Sequence, residues 1–139
     1  MREDIWTKWL NIISSAENWS NETGSSAYER FTIHQILKFA DENKEKWKDT
    51  DCVGLLSSFC PSLFIGDFAP IDYSDGSGMN LLNISEKNWS EKVLQFSEKI
   101  APGITQKIGT PKASNSYCGN INNYWIDRYN FSKGNFGNY

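Results

Sequence analysis

P-I-D-Y-S-D-G-S-G-M-N-L-L, residues Pro70 to Leu82, is the stretch on which the reading of this chain turns. Between Ile71 and the apolar Met79, Leu81 and Leu82 it sets Asp72, Ser74, Asp75, Gly76, Ser77 and Gly78. Glycine enters positive φ at no steric cost, and Asp and Ser bond their own backbone nearby, so the composition predicts a sharply bent, structured loop. A plain solvent turn satisfies that chemistry. So does a loop holding a sugar, a metal or a phosphate. Asp72 and Asp75 form a carboxylate pair without the spacing of an EF-hand, which points to solvated turn carboxylates rather than a calcium site.

Upstream of this stretch the pattern is helical. Asp51 is placed to cap a helix carrying Leu55, Leu56, Phe59, Leu63 and Phe64, with Gly66 as its stop and Pro61 as an internal kink or restart. Thr32 and Gln35 have the form of a capping box, and Ile33, Ile36, Leu37 and Ala40 then recur at helical spacing, predicting a helix from about Thr32 to Trp47. His34 falls off that stripe and reads as a solvent-facing or hydrogen-bonded structural histidine. Asn18 to Ser26 is a polar break with Gly24 as its stop, and Ile5, Trp6, Trp9, Leu10, Ile12 and Ile13 suggest a first helix over residues 5–19.

Downstream, Met79 to Ile84 is short and apolar on alternate positions, as a small strand or an extended piece. Trp89, Val93, Leu94, Phe96 and Ile100 suit a helix with Lys92 and Lys99 on its outside. Ala101 to Ser116 holds two prolines and two glycines and reads as an irregular connection. Gly119 to Tyr129 predicts a last short helix, and the tail from Asn130 has the composition of a frayed end. No internal repeat or linker divides the chain.

The 139 residues are enough for one domain, and 39% hydrophobic with 14% aromatic residues argues against disorder. A net charge of −3 without a basic stripe argues against a nucleic-acid partner. No apolar run spans a bilayer and no signal-peptide core follows Met1, so a cytoplasmic protein with no membrane partner is expected. Cys52, Cys60 and Cys118 read as buried or partly buried thiols, and the single His34 does not complete a zinc set with them. The N-x-S/T triplets reflect an asparagine-rich composition. Phosphate-loop, serine-hydrolase, zinc-protease and kinase D-F-G motifs are all missing.

One candidate remains: Arg30, in A-Y-E-R-F-T, between Tyr28 and Phe31. Its guanidinium can offer a planar donor fork to hydroxyl or phosphate oxygens, or it can pair with Glu29 or stack as a structural residue. Local chemistry alone favours the structural role.

Taken together, the motifs T-G-S-S-A-Y-E-R-F-T-I-H-Q-I (Thr23 to Ile36), S-S-F-C-P-S-L-F-I-G (Ser57 to Gly66) and P-I-D-Y-S-D-G-S-G-M-N-L-L-N-I (Pro70 to Ile84) closely resemble the N-terminal domain of eukaryotic-type D-xylulose kinases, members of the FGGY carbohydrate kinases. K-N-W-S at Lys87 to Ser90 and G-N-I-N-N-Y-W-I-D-R-Y-N-F from Gly119 extend the likeness over roughly residues 21–134, and residues 1–20 match poorly.

The resemblance implies a mainly α fragment of an α/β ribonuclease H-like, actin-like ATPase domain, with residues 1–139 forming part of the sugar-binding N-terminal domain. It implies ATP- and Mg2+-dependent phosphorylation of D-xylulose on its 5-hydroxyl by the full-length protein. In that pattern the A-Y-E-R-F arginine contacts the ketose and falls on Arg30, which reverses the preference drawn from local chemistry. Asp72 to Gly78 shapes the floor of the sugar side.

The family's phosphate loop, its glutamine–histidine pair, its tryptophan–aspartate segment and its G-D-N motif, which carries the general base, have no counterpart here. The chain alone is therefore expected to bind no ATP, contain no catalytic or metal-binding residue and turn over nothing. Pro61 departs from the family pattern. With most of the parent sheet absent, core faces of the helices should be exposed, and the isolated piece should associate or be only marginally stable. The alternatives are another FGGY sugar kinase or a non-catalytic binding or scaffold module.

Overall fold

The computed structural model describes residues 16–136. Helix α1 (Ala16–Thr23) leads to α2 (Thr32–Glu42) and the short α3 (Lys44–Lys48), then α4 (Leu56–Ile65) and α5 (Tyr73–Gly78). A hairpin of β1 (Leu82–Asn83) and β2 (Asn88–Trp89) follows, then α6 (Glu91–Glu98), α7 (Ile104–Ile108), β3 (Gly119–Asn120), α8 (Asn123–Tyr129) and β4 (Asn135–Phe136). Both strand pairs are antiparallel, with Leu82 opposite Trp89 and Gly119 opposite Phe136. Asp72 adds a parallel bridge to Lys112. Among the described residues no helix is long and apolar enough to cross a membrane.

The core grows from the stripe of α2. Ile33, Ile36, Leu37 and Ala40 are buried and meet Trp19 of α1, Met79, Leu81 and Leu82, Trp89 and Val93, and Ile104 and Ile108 of α7. Each large aliphatic side chain removed from water in this way contributes roughly 1.5–3 kcal/mol. Three buried tryptophans also satisfy their indole N–H groups on distant backbone, as a buried indole requires. Trp19 Nε1 donates to the Asn80 carbonyl at 3.0 Å, Trp47 Nε1 to that of Pro102 at 3.0 Å and Trp89 Nε1 to that of Gly109 at 2.6 Å.

Several elements follow the expected pattern. Gly66 ends α4 in the left-handed conformation at φ 73°, and Gly24 stands at φ 78° beyond the end of α1. Ser90 caps α6 by accepting from the Val93 N–H, and Asn122 caps α8 by accepting from that of Tyr124. Lys92 is exposed on α6 and donates to Glu22.

Others differ. Residues 5–15 of the expected first helix lie outside the described residues, and the supposed break after Asn18 is helical as far as Thr23. The capping box does not form: Thr32 lies inside α2, Phe31 is the N-cap, and Gln35 Nε2 instead donates to the Glu29 carbonyl at 2.6 Å. The expected single helix to Trp47 breaks at Asn43, whose φ of −130° and ψ of 55° lie outside helical values. Asp51 does not cap α4, which begins after an extended Leu55. Pro61 lies within α4. The expected irregular connection contains α7, and the tail pairs as β4.

The largest correction concerns the stretch that opened the reading. Residues 73–78 form a helix rather than a loop, because Asp72 accepts from the Asp75 N–H at 3.0 Å and nucleates a turn. Neither Gly76 nor Gly78 takes a positive φ. Gly76 is needed for space: a Cβ there would lie 2.8 Å from the Trp89 ring. The left-handed residue comes later, at Asn80 with φ 61°.

Candidate functional site

Arg30 lies on the turn that precedes α2, closed by the Phe31 N–H donating to the Tyr28 carbonyl at 3.0 Å. Its side chain is exposed, with the guanidinium carbon 6.0 Å from the centre of the Tyr28 ring, at the outer limit of a cation–π contact. The ion pairs among the described residues are Lys44 with Asp41 and Lys92 with Glu22, so the expected alternative of an Arg30–Glu29 pair is not formed. Among the described residues no ion pair occupies the donor fork.

What holds this turn in place comes from the end of α5. Asn80 is fully buried, and its Nδ2 donates to Thr23 Oγ1 at 2.7 Å and to the Ser25 carbonyl at 3.0 Å. The preceding residue, Met79, presents its carbonyl to the Ile33 N–H at 3.1 Å. Two consecutive residues thereby grip the segment around Arg30 on both sides. The motifs A-Y-E-R-F and D-G-S-G-M-N-L-L, separate in sequence, are joined here by hydrogen bonds. The sequence reading missed Asn80; its signal is a short amide, one of the few side chains tolerated at positive φ, directly after a tightly packed glycine helix.

His34 stands behind this junction and corrects the expectation of a residue off the buried stripe: it is 3% exposed, with its ring 5.3 Å from that of Trp19. Burial holds its pKa below the ordinary histidine range, and the neighbouring Asn80 amide acts the other way. Glu22 is held below the usual carboxylate range chiefly by the Lys92 ammonium. These are structural partners of the turn, and none approaches a nucleophile.

Asp72 and Asp75 are tied into structure rather than simply solvated. Asp72 caps α5, and Asp75 accepts from the Ser57 hydroxyl at the start of α4. A cavity of about 440 Å3 lies along α4 and the turn after it, lined in part by Ser58, Phe59, Ser62, Leu63 and Phe68. Arg30 is not among its lining residues. Cys52, Cys60 and Cys118 are free thiols; Cys60 is exposed, against expectation, and burial pushes the Cys52 thiol upward. Among the described residues no three of His, Cys, Asp and Glu converge as metal ligands would.

Comparison with known proteins gives these residues a context. No protein-family model matches the chain. It is 47% identical over 122 residues to a xylulose kinase of Mus musculus, a match covering 88% of this chain and 22% of that protein. It is 40% identical over 123 residues to xylulose kinase 2 of Arabidopsis thaliana, with the same coverage of 88% and 22%. The chain thus spans about a fifth of the length of these curated relatives.

Among solved structures, a xylulose kinase from Rhodospirillum rubrum superposes with a TM-score of 0.77 at 10% identity, over 96% of this chain and 26% of that one. A Plasmodium falciparum glycerol kinase with ADP superposes with a TM-score of 0.75 at 17% identity, over 99% and 27%. At such identities the likeness speaks to fold alone. The chain is similar to xylulose kinases along most of its length, as its motifs indicate, and shares its fold with part of several carbohydrate kinases.

Proposed function

We propose that this chain forms part of the sugar-side wall of an ATP-dependent xylulose kinase that converts D-xylulose to D-xylulose 5-phosphate, and that Arg30 binds the ketose. The observation that carries the reading is an exposed arginine, without an ion-pair partner among the described residues, on a turn fixed at both ends. A permanently charged planar fork can donate to several hydroxyl and carbonyl oxygens at once. It holds a flexible ketose in one pose and so lowers the entropic cost of bringing a hydroxyl in line with a phosphoryl group.

On this reading residues 1–139 belong to an FGGY kinase N-terminal domain of ribonuclease H-like, actin-like architecture, with residues 1–20 as a poorly matched extension. The protein would work in the cytoplasm. ATP with Mg2+ would supply the phosphoryl group and neutralise its charge. The described residues do not converge on a metal, and no step of the transfer is assigned to them. Structures of glycerol and gluconate kinases superpose nearly as well as that of a xylulose kinase, with TM-scores of 0.75 and 0.72 against 0.77, so fold alone does not choose the sugar. Identity of 40–47% to xylulose kinases favours D-xylulose.

The test is phosphoryl transfer by the complete protein carrying this segment, offered D-xylulose, D-ribulose, glycerol and gluconate in turn. D-Xylulose should have the highest kcat/KM. Arg30→Ala should lower that value roughly 10- to 100-fold, the loss expected for charged hydrogen bonds to substrate, while the KM for ATP stays unchanged. Unchanged kcat/KM for D-xylulose in Arg30→Ala would remove the residue from the site.

A further inference from the structure

We infer that Asn80 is a positioning residue for sugar binding, acting on the ketose through the turn that carries Arg30. The inference rests on the sugar-site reading above and assigns a role to a residue that touches no substrate.

Its basis is the pair of grips described at the junction. Asn80 Nδ2 reaches Thr23 Oγ1 at 2.7 Å and the Ser25 carbonyl at 3.0 Å, while Met79 holds the Ile33 N–H at 3.1 Å. The Arg30 turn lies between these points. Asn80 is itself immobilised, since its own carbonyl accepts from Trp19 Nε1 at 3.0 Å and its side chain is fully buried.

The residue type follows from the geometry. At φ 61° a β-branched or bulky side chain is strained, and glycine and asparagine are the residues most at ease there. Glycine has no side-chain donor. Aspartate has acceptors only and would face the Ser25 carbonyl with a negative charge. Asparagine alone combines tolerance of that backbone with two N–H donors for the two oxygens in front of it. Its loss would let the segment before Arg30 drift, and a displacement of about 1 Å in a substrate-orienting group can cost on the order of 100-fold in rate.

The experiment uses the complete protein with Thr23→Val, Thr23→Ser and Asn80→Gly, each alone, and Thr23→Val also combined with Arg30→Ala. Thr23→Val keeps the buried shape and removes the oxygen that Asn80 engages, and Asn80→Gly keeps the backbone and removes the donors. Both should raise the KM for D-xylulose, about 3- to 10-fold for Thr23→Val, and leave the KM for ATP unchanged. Thr23→Ser should restore the parent value. In the Arg30→Ala background Thr23→Val should add nothing, because the residue through which it acts is gone.

Two results would overturn the inference while leaving Arg30 in the site: lower urea stability with the D-xylulose KM unmoved, or an effect of Thr23→Val that multiplies in full upon Arg30→Ala. If Arg30→Ala itself leaves D-xylulose kinetics intact, the sugar-site reading fails and this inference falls with it. The Arg30→Ala kinetics alone therefore separate the two failures.

Discussion

Helices α2 and α4 carry apolar residues at similar helical spacing, yet one is buried and the other is not. Ile33, Ile36, Leu37 and Ala40 of α2 all lie below 10% exposure, whereas Leu56, Phe59 and Leu63 of α4 are 77%, 55% and 51% exposed. The difference lies in what each helix meets. The stripe of α2 shares one buried cluster with Trp19 of α1, Trp47 of α3, the apolar residues after α5, Val93 of α6, and Ile104 and Ile108 of α7. Helix α4 is held at its end by the Phe64 ring against that of Trp125, 4.9 Å apart, and by two hydrogen bonds: Trp125 Nε1 donates to the Leu63 carbonyl at 2.7 Å, and the Asn122 N–H to that of Phe64 at 2.8 Å. These bonds satisfy two carbonyls of its last turn and leave much of its apolar side in water. An apolar stripe states that a face can be buried; it does not supply the partner.

The contrast is open to measurement, and the largest effect is expected within it. Leu37→Ala should cost about 2–5 kcal/mol in urea unfolding, as for a buried leucine in a packed core. Phe59→Ala should change stability by about 0.5 kcal/mol or less, as for an exposed position. A comparable loss at Phe59 would break the comparison, since it would mean that the α4 face is covered in solution.

A smaller effect is expected within one six-residue helix. Gly76→Ala puts a methyl group against the Trp89 ring and should cost about 1–3 kcal/mol through overpacking. Gly78→Ala meets nothing within 4 Å and should be neutral or slightly stabilising. Equal effects of the two in thermal unfolding would show that Trp89 does not press on α5.

The smallest effect should appear as a pH dependence of the α2 side alone. Burial lowers the folded pKa of His34 below its ordinary 6.5, so the unfolded chain takes up a proton first as pH falls. The contribution of neutral His34 is therefore intact above 6.5 and declines below it toward the folded pKa. His34→Gln should flatten Tm against pH in that window. An unchanged slope would place the titration elsewhere.

Much of this fold was legible in the sequence because local chemistry and final structure agree there. The stops at Gly24 and Gly66, the stripe of α2, the helix after Ser90 and the helix after Asn122 all follow from residues acting within a few positions of themselves. Some of the misses come from contact across the chain: Gly76 lies against Trp89, and His34 is enclosed by Trp19. Others are local, as where Gln35 serves the Glu29 carbonyl instead of a capping box and Asp72 nucleates a helical turn. The candidate site divides the same way. Arg30 was singled out as a candidate by its motif, while Asn80 was not, because its partners Thr23 and Ser25 lie 57 and 55 positions away.

The three buried indoles also make the core a set of optical clocks. Trp19, Trp89 and Trp47 close contacts spanning 61, 20 and 55 residues. Loop-closure entropy makes the 61-residue span only about 1 kcal/mol costlier than the 20-residue span. In proteins that retain one of these tryptophans at a time, a blue shift in emission during refolding would time the closure of each loop. Trp89 would report the hairpin's docking onto the segment after α7, and Trp19 the moment at which the turn bearing Arg30 acquires its anchor.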